Sequence, residues 1–154
     1  MKDEGGRKIL AQNRKARFDY TVVDNIECGM ELVGTEVKSM KEIRFSFPDA
    51  YAKVDNGELF IVGLHINVYP QGSNLNHDPD RVRKLLVHKQ EIKRLRRLID
   101  EKGLTLVPLS FYLKRGLVKC DLGMCRGKKE RDKREVIRKR DQKRDVQREL
   151  RKFS

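Results

Sequence analysis

The stretch LTLVPLSFYLKRGLVKCDLGMC, residues 104–125, decides the fold class. Its first half alternates, with Val107, Leu109, Phe111 and Leu113 on one side. Arg115-Gly116 supplies a turn, and Leu117–Cys125 alternates again, with Val118, Cys120, Leu122 and Met124 inward and Lys119 and Asp121 outward. A repeat of two residues is the period of a half-buried strand. Before it, Lys84–Lys102 reads as a helix, with Leu85, His88, Ile92, Leu95 and Ile99 on one face and Gly103 at its C-terminal cap. The other face carries Lys89, Lys93, Arg94, Arg96 and Arg97. Between Asn67 and Arg83 the pattern breaks at Pro70, Gly72 and Pro79. A loop of about 17 residues is longer than passive connections reach, which points to a functional role. Asn56-Gly57, between Ala50–Asp55 and Glu58–Ile66, is a hairpin signal because both turn positions need positive φ. Phe18–Val33 is rich in β-formers, with Asp24-Asn25 as a turn or bulge. Gly34-Thr35 opens a short helix with Thr35 as cap and Val37, Met40 and Ile43 recurring every third residue; Pro48 closes that region. The expectation is a mainly β chain, a small oligonucleotide-binding-like barrel of about six strands with peripheral helices, since closure removes exposed edges.

Charge is unevenly spread. The 154 residues carry a formal net charge of +13, which calls for a polyanionic partner, nucleic acid ahead of a membrane surface. Residues 126–154 hold 14 Lys/Arg against 6 Asp/Glu, a net of +8, and Val136, Ile137, Val146, Leu150 and Phe153 make no unbroken apolar stripe. Such a segment does not bury enough surface to offset its ordering entropy. It has no Pro, and pairs such as Glu130–Arg134 and Glu135–Lys139 support a helix. It reads as a basic tail, disordered when free and helical once phosphates neutralise it; a solvated exposed helix is the alternative. Residues 1–17 form a weaker basic arm, which leaves 18–125 as the globular part.

Other chemistries are poorly supported. Phosphate-loop, dinucleotide, nucleophile-elbow and zinc-protease patterns do not occur, and Cys28, Cys120 and Cys125 lack metal spacing, so they read as packing residues. Apolar runs of six residues, such as Leu59–Leu64, are too short to span a bilayer, and a soluble, cytoplasmic chain is expected without cofactor or metal. The best catalytic candidate is Asn76-His77-Asp78-Pro79-Asp80-Arg81, a His with two carboxylates. Its simpler reading is turn chemistry, with Arg81 paired to Asp80, and no enzyme is expected.

Specific strings then accumulate in one order: Asn13-Arg14-Lys15-Ala16-Arg17, Gly34-Thr35-Glu36-Val37-Lys38-Ser39, Asn76 to Arg81, Arg83-Lys84-Leu85-Leu86, Glu101 to Leu109, and Arg126-Gly127-Lys128-Lys129 followed by Asp132-Lys133-Arg134. Together they resemble the small protein B family, the SsrA-RNA-binding (tmRNA-binding) proteins of bacterial trans-translation. The resemblance implies an oligonucleotide-binding-type barrel that binds the tRNA-like domain of tmRNA and delivers it to stalled ribosomes. There the barrel mimics a tRNA anticodon arm, while the tail occupies the decoding centre, against small-subunit rRNA, and the empty mRNA channel. Elongation factor Tu and alanyl-tRNA synthetase are implied as indirect partners through tmRNA, and the free protein as a monomer. A generic basic RNA-binding or ribosome-associated protein of the same fold is the alternative.

The implied RNA-binding residues are Asn13, Arg14, Lys15, Arg17, Tyr20, Glu27, Lys38, Asn76, His77, Arg81, Arg83, Lys84, Leu86 and Lys119. The implied ribosome-contacting tail residues are Gly127, Lys128, Lys129, Arg131, Asp132, Lys133 and Arg134. Glu27 would accept from a base amino group or a 2′-hydroxyl, which a phosphate-seeking Lys cannot do. Leu86 would pack on a splayed base, whereas pattern alone reads it as core beside Leu85. The chain departs from the family at Phe18, where His is common, at Ile43 and Ser46, which replace Gly and Asn, and at Arg131, where an aromatic or His is frequent.

Overall fold

The computed structural model describes residues 2–3 and 6–127. In chain order its strands and helices are β1 (Lys2–Asp3), β2 (Arg7–Gln12), α1 (Arg14–Asp19), β3 (Tyr20–Met30), α2 (Gly34–Lys41), β4 (Phe45–Ser46), β5 (Tyr51–Asp55), β6 (Glu58–Val62), β7 (His65–Ile66), β8 (Arg83–Leu86), α3 (Lys89–Lys102), β9 (Thr105–Lys114) and β10 (Leu117–Gly127). One antiparallel sheet runs β1-β2-β9-β10-β3-β8-β6-β5. A bridge from Ala52 to Leu106 joins β5 back to β9, so six of its strands close into a ring, as the pattern predicts.

The ring forms because each strand has one apolar face. Val118, Cys120, Leu122 and Met124 of β10 meet Ile26, Cys28 and Met30 of β3, Leu85 of β8, and Leu59 and Ile61 of β6 in one core. Phe45 and Phe47 pack on Phe111, edge to face, with the Phe47 and Phe111 centroids 4.8 Å apart. Helix α3 adds Ile92 and Leu95 and ends at Gly103, whose φ of 63° lets its N–H reach the Ile99 carbonyl. The Asn56-Gly57 turn has φ of 50° and 74°, as a two-residue hairpin requires. Cys28 and Cys120 face each other across β3 and β10 inside this core, and burial pushes the Cys28 thiol up to about 12. Cys125 lies on the opposite face of β10, with Ala16 and Val107.

Several local expectations change. Arg7–Gln12, assigned to a basic arm, is a strand paired with β9 that buries Leu10, and Arg14–Asp19 is a helix. Within Lys84–Lys102 the first residues belong to β8; Arg83 and Leu85 are buried while Leu86 is exposed, the period of a strand, and the helix starts only at Lys89. Gly63, at φ 84° and close to Ala50, breaks the expected Glu58–Ile66 strand into β6 and β7. Val33, not Thr35, caps α2: its N–H donates to Glu36, while Thr35 Oγ1 bonds His77 Nδ1. Val107 and Leu109 do not share a face with Phe111 and Leu113. A bulge at Leu109 leaves it without a partner on β10 and inverts the alternation, so Val107 joins the small cluster and Phe111 the main core. The bulge expected at Asp24-Asn25 falls one residue earlier, at Val23.

Ile43 follows α2 with φ of 59°, although it is β-branched and 57% exposed. The left-handed region suits the glycine of the family pattern and strains an isoleucine. Ile43→Gly should therefore raise the unfolding free energy by about 0.5–1 kcal/mol in a urea titration, with an unchanged m-value.

Candidate nucleic-acid interface

Each strand that turns apolar residues inward turns its alternate residues to the outside of the ring. One row crosses five strands: Leu86 of β8, Gly29 of β3, Lys119 of β10, Tyr112 of β9 and Ile9 of β2. Gly29 makes this row shallow. A Cβ there would lie 3.3 Å from Leu86 Cβ and 3.6 Å from Lys119 Nζ, so the leucine and the ammonium flank a bare piece of backbone. Leu86 is 46% exposed while its neighbour Leu85 is buried, which reverses the core reading of Leu86 and fits the contact role that the resemblance implies.

Glu27 stands two residues before Gly29 on the same face. Its Oε2 accepts from Tyr112 Oη at 2.5 Å and from Arg7 Nη2 at 3.2 Å, and Lys114 Nζ lies 3.4 Å from both oxygens. The Tyr112 hydrogen bond, followed by those of Lys114 and the charge of Arg7, holds this carboxyl below its ordinary value, so it is ionised at neutral pH. Burial and the Glu27 carboxylate raise the Tyr112 phenol. The Arg7 guanidinium also lies over the Tyr112 ring, 4.7 Å from its centroid. Lys84 adds a cation on the outer side of β8, 3.5 Å from Glu58. Asp121 is occupied by Asn25 Nδ2 at 2.8 Å. Arg7, Tyr112 and Lys114 carry no motif. The alternation around Phe111 and Leu113 could have placed the latter two outward, but Arg7 is brought in only by pairing with a strand about 100 residues away.

Arg14 and Arg17 extend the basic face. Together with Arg7, Gln12, Ser110 and Tyr112 they line a cavity of about 300 Å³ between α1 and β9. Asn13 instead fixes α1 to β9, since its Oδ1 accepts from Ala16 N–H and its Nδ2 donates to the Pro108 carbonyl at 2.8 Å. Lys15 and Tyr20 line a second cavity, of about 290 Å³, where Lys15 lies 3.6 Å from Asp49. Lys38 is exposed, its ammonium 5.5 Å from the centre of the Tyr69 ring.

Four of the expected RNA contacts are also bonded within the fold. Arg83 is fully buried: Nε bonds Glu36 Oε2 at 2.5 Å, Nη1 the Leu64 carbonyl, and Nη2 the carbonyls of Asp78 and Pro79. It has no surface to offer an RNA. Arg81 pairs with Glu36 Oε1 at 2.6 Å, not with Asp80, which bonds His65 Nδ1 instead. Asn76 both donates to and accepts from the Tyr69 backbone, and His77 Nε2 donates to the Ile66 carbonyl. The long loop is tied down by side chains. Gly127 ends β10 opposite Tyr20. Lys128, Lys129, Arg131, Asp132, Lys133 and Arg134 lie outside the described residues.

Known proteins are similar to this chain in sequence, and a solved structure is similar in fold. The family described as SmpB protein matches residues 10–152. An SsrA-binding protein of Treponema denticola is 57% identical over 143 residues, covering 93% of each chain. One from Synechococcus elongatus is 50% identical over 151 residues, covering 97% of this chain and 98% of the relative. A chain in a solved structure described as "tmRNA-SmpB: a journey to the center of the bacterial ribosome" is 43% identical with a TM-score of 0.67, over 85% of this chain and 96% of that one.

Burial alone would raise the Glu36 carboxyl, but hydrogen bonds from Arg81, the Val33 N–H and Arg83 lower it. Removing one partner leaves a buried charge unpaired, so Glu36→Ala should cost about 3–5 kcal/mol in denaturant unfolding. Leu86→Ala, at an exposed position, should stay within about 0.5 kcal/mol. A carboxyl lowered on folding contributes stability that is full above its ordinary value of 4.5 and is lost as the pH falls below that through the native value. The acid limb of Tm against pH should therefore flatten in a Glu36→Gln variant.

Proposed function

The chain belongs to the SmpB protein family, and from that premise we propose that it binds tmRNA (SsrA RNA) and carries it to stalled ribosomes for trans-translation. The observation that carries this reading is the meeting of Glu27, Leu86 and Lys119 around Gly29 on one outer face, from three strands far apart in sequence. A cation, an acceptor and an exposed apolar side chain are the three contacts that an irregular RNA surface offers partners for: phosphate, donor edge and base face. Arg7, Lys114, Arg14 and Arg17 supply phosphate attraction along the same face.

In this reading the protein is an RNA-binding adaptor, not an enzyme. Its barrel takes the place of a tRNA anticodon arm, and the basic tail enters the decoding centre and the empty message channel. Elongation factor Tu and alanyl-tRNA synthetase are then met through tmRNA. Among the described residues no helix is long and apolar enough to cross a membrane. Arg83, Asn76, His77 and Arg81 serve this function by holding the fold.

Filter binding at 150 mM salt tests the site. Glu27→Ala and Lys119→Ala should each weaken tmRNA binding by about tenfold, and Lys93→Ala or Arg97→Ala on α3 by less than about threefold. Equal losses at both places, or equal affinity of the unaltered protein for tmRNA and bulk tRNA, would favour generic RNA binding. Truncation after Gly127 separates the two parts: tmRNA affinity should stay within a few-fold while peptide tagging on stalled ribosomes disappears.

A further inference from the structure

The two oxygens of Glu27 are not equivalent. Oε2 receives the Tyr112 hydroxyl at 2.5 Å, Arg7 Nη2 at 3.2 Å and Lys114 Nζ at 3.4 Å, whereas among the described residues Oε1 receives only Lys114, at 3.4 Å. A carboxylate has about four lone-pair sites. Those of Oε2 are taken up, and Oε1 keeps a site open on a side chain that is 32% exposed. Tyr112 cannot easily yield, because its ring is 2% exposed and lies beneath the Arg7 guanidinium.

We propose that Tyr112 and Arg7 are positioning residues: they anchor Oε2 so that Oε1 is presented as an acceptor for an N–H or O–H donor of the bound RNA, and through it they set specificity more than affinity. The inference rests on the function proposed above and deepens it. A free glutamate would lose rotamer entropy on each binding event; one already clamped loses little. The clamp also denies the site to phosphate, because a fixed anion on a basic face repels phosphate oxygens while accepting from a base edge or a 2′-hydroxyl. Around Glu27 the charged and titratable groups are Arg7 of β2, Tyr112 and Lys114 of β9, Lys119 and Asp121 of β10 and Lys84 of β8. Among them only the Tyr112 hydroxyl can be removed without changing a charge at neutral pH.

Tyr112→Phe is thus the decisive variant, compared with the unaltered protein for tmRNA and bulk tRNA across pH. Binding to tmRNA should weaken about tenfold, the scale of one hydrogen bond to a charged group, while bulk tRNA binding changes less than twofold. The acid limb of tmRNA binding should move to higher pH, because Glu27 loses the bond that favours its ionised form. Glu27→Gln should add little to Tyr112→Phe in a double-mutant cycle. A tmRNA in which 2′-hydroxyls are replaced by hydrogen, bound equally by the protein and by Tyr112→Phe, would assign the donor to the sugar; a persisting difference would assign it to a base. Equal losses for both RNAs, or an unmoved acid limb, would overturn the inference. If the unaltered protein already fails to prefer tmRNA, it is the proposed function that falls instead. A melting curve of Tyr112→Phe within a few degrees of the parent, and Lys114→Gln as a second way to loosen the carboxylate, separate positioning from folding.

Discussion

The Arg83 guanidinium, shut away from solvent, imposes the constraint on which the outer face depends. An arginine stays charged wherever it is placed, so burying it demands an anion and a partner for each remaining donor. Glu36 supplies the anion, and the carbonyls of Leu64, Asp78 and Pro79 take the rest. Those partners come from α2, the link between β6 and β7, and the long loop, so one side chain draws three segments onto β8. It also sets the phase of that strand. With Arg83 and Leu85 inward, Lys84 and Leu86 must point out, and Leu86 arrives beside Gly29.

The bulge at Leu109 does for β9 what Arg83 does for β8. Without it, Tyr112 and Lys114 would share a face with Leu106 and the core. With one extra residue the alternation inverts, and the phenol and ammonium come out beside Glu27. Leu109 itself folds over Gly123, where a Cβ would lie 2.8 Å from its side chain, so the bulge needs a residue without a side chain opposite it. The small cluster of Ala16, Val107 and Cys125 on the far side is the other product of the inversion.

The resulting face carries an acid within a basic surround. Cations alone attract any nucleic acid, and their contribution falls steeply with salt. A carboxylate held by a phenol and two cations keeps a fixed orientation and stays ionised, and the same face exposes a leucine and bare backbone. In the function proposed, long-range attraction and short-range discrimination are carried by different groups in one place. Arg83 and Asn76 show the converse, since motifs that resemble ligand contacts can be the struts behind them.

The sequence by itself determined the class of fold and the class of partner. Alternation along residues 104–125, the Asn56-Gly57 turn and the excess of Lys and Arg are local or compositional facts, and strand period, turn type and polyanion attraction depend on nothing distant. The resemblance implied Glu27, Leu86 and Lys119 as RNA contacts, and the structure brings these three side chains to one outer face. Other features were decided only by tertiary contact. Arg83 and Leu86 look alike as candidates until the strand's phase says which is inside. Arg7 joins the site through a strand pairing across the chain, and a bulge reverses the face of Tyr112 relative to Val107. A one-residue shift in register exchanges interior and exterior, and that register is set by long-range packing, which no local pattern contains.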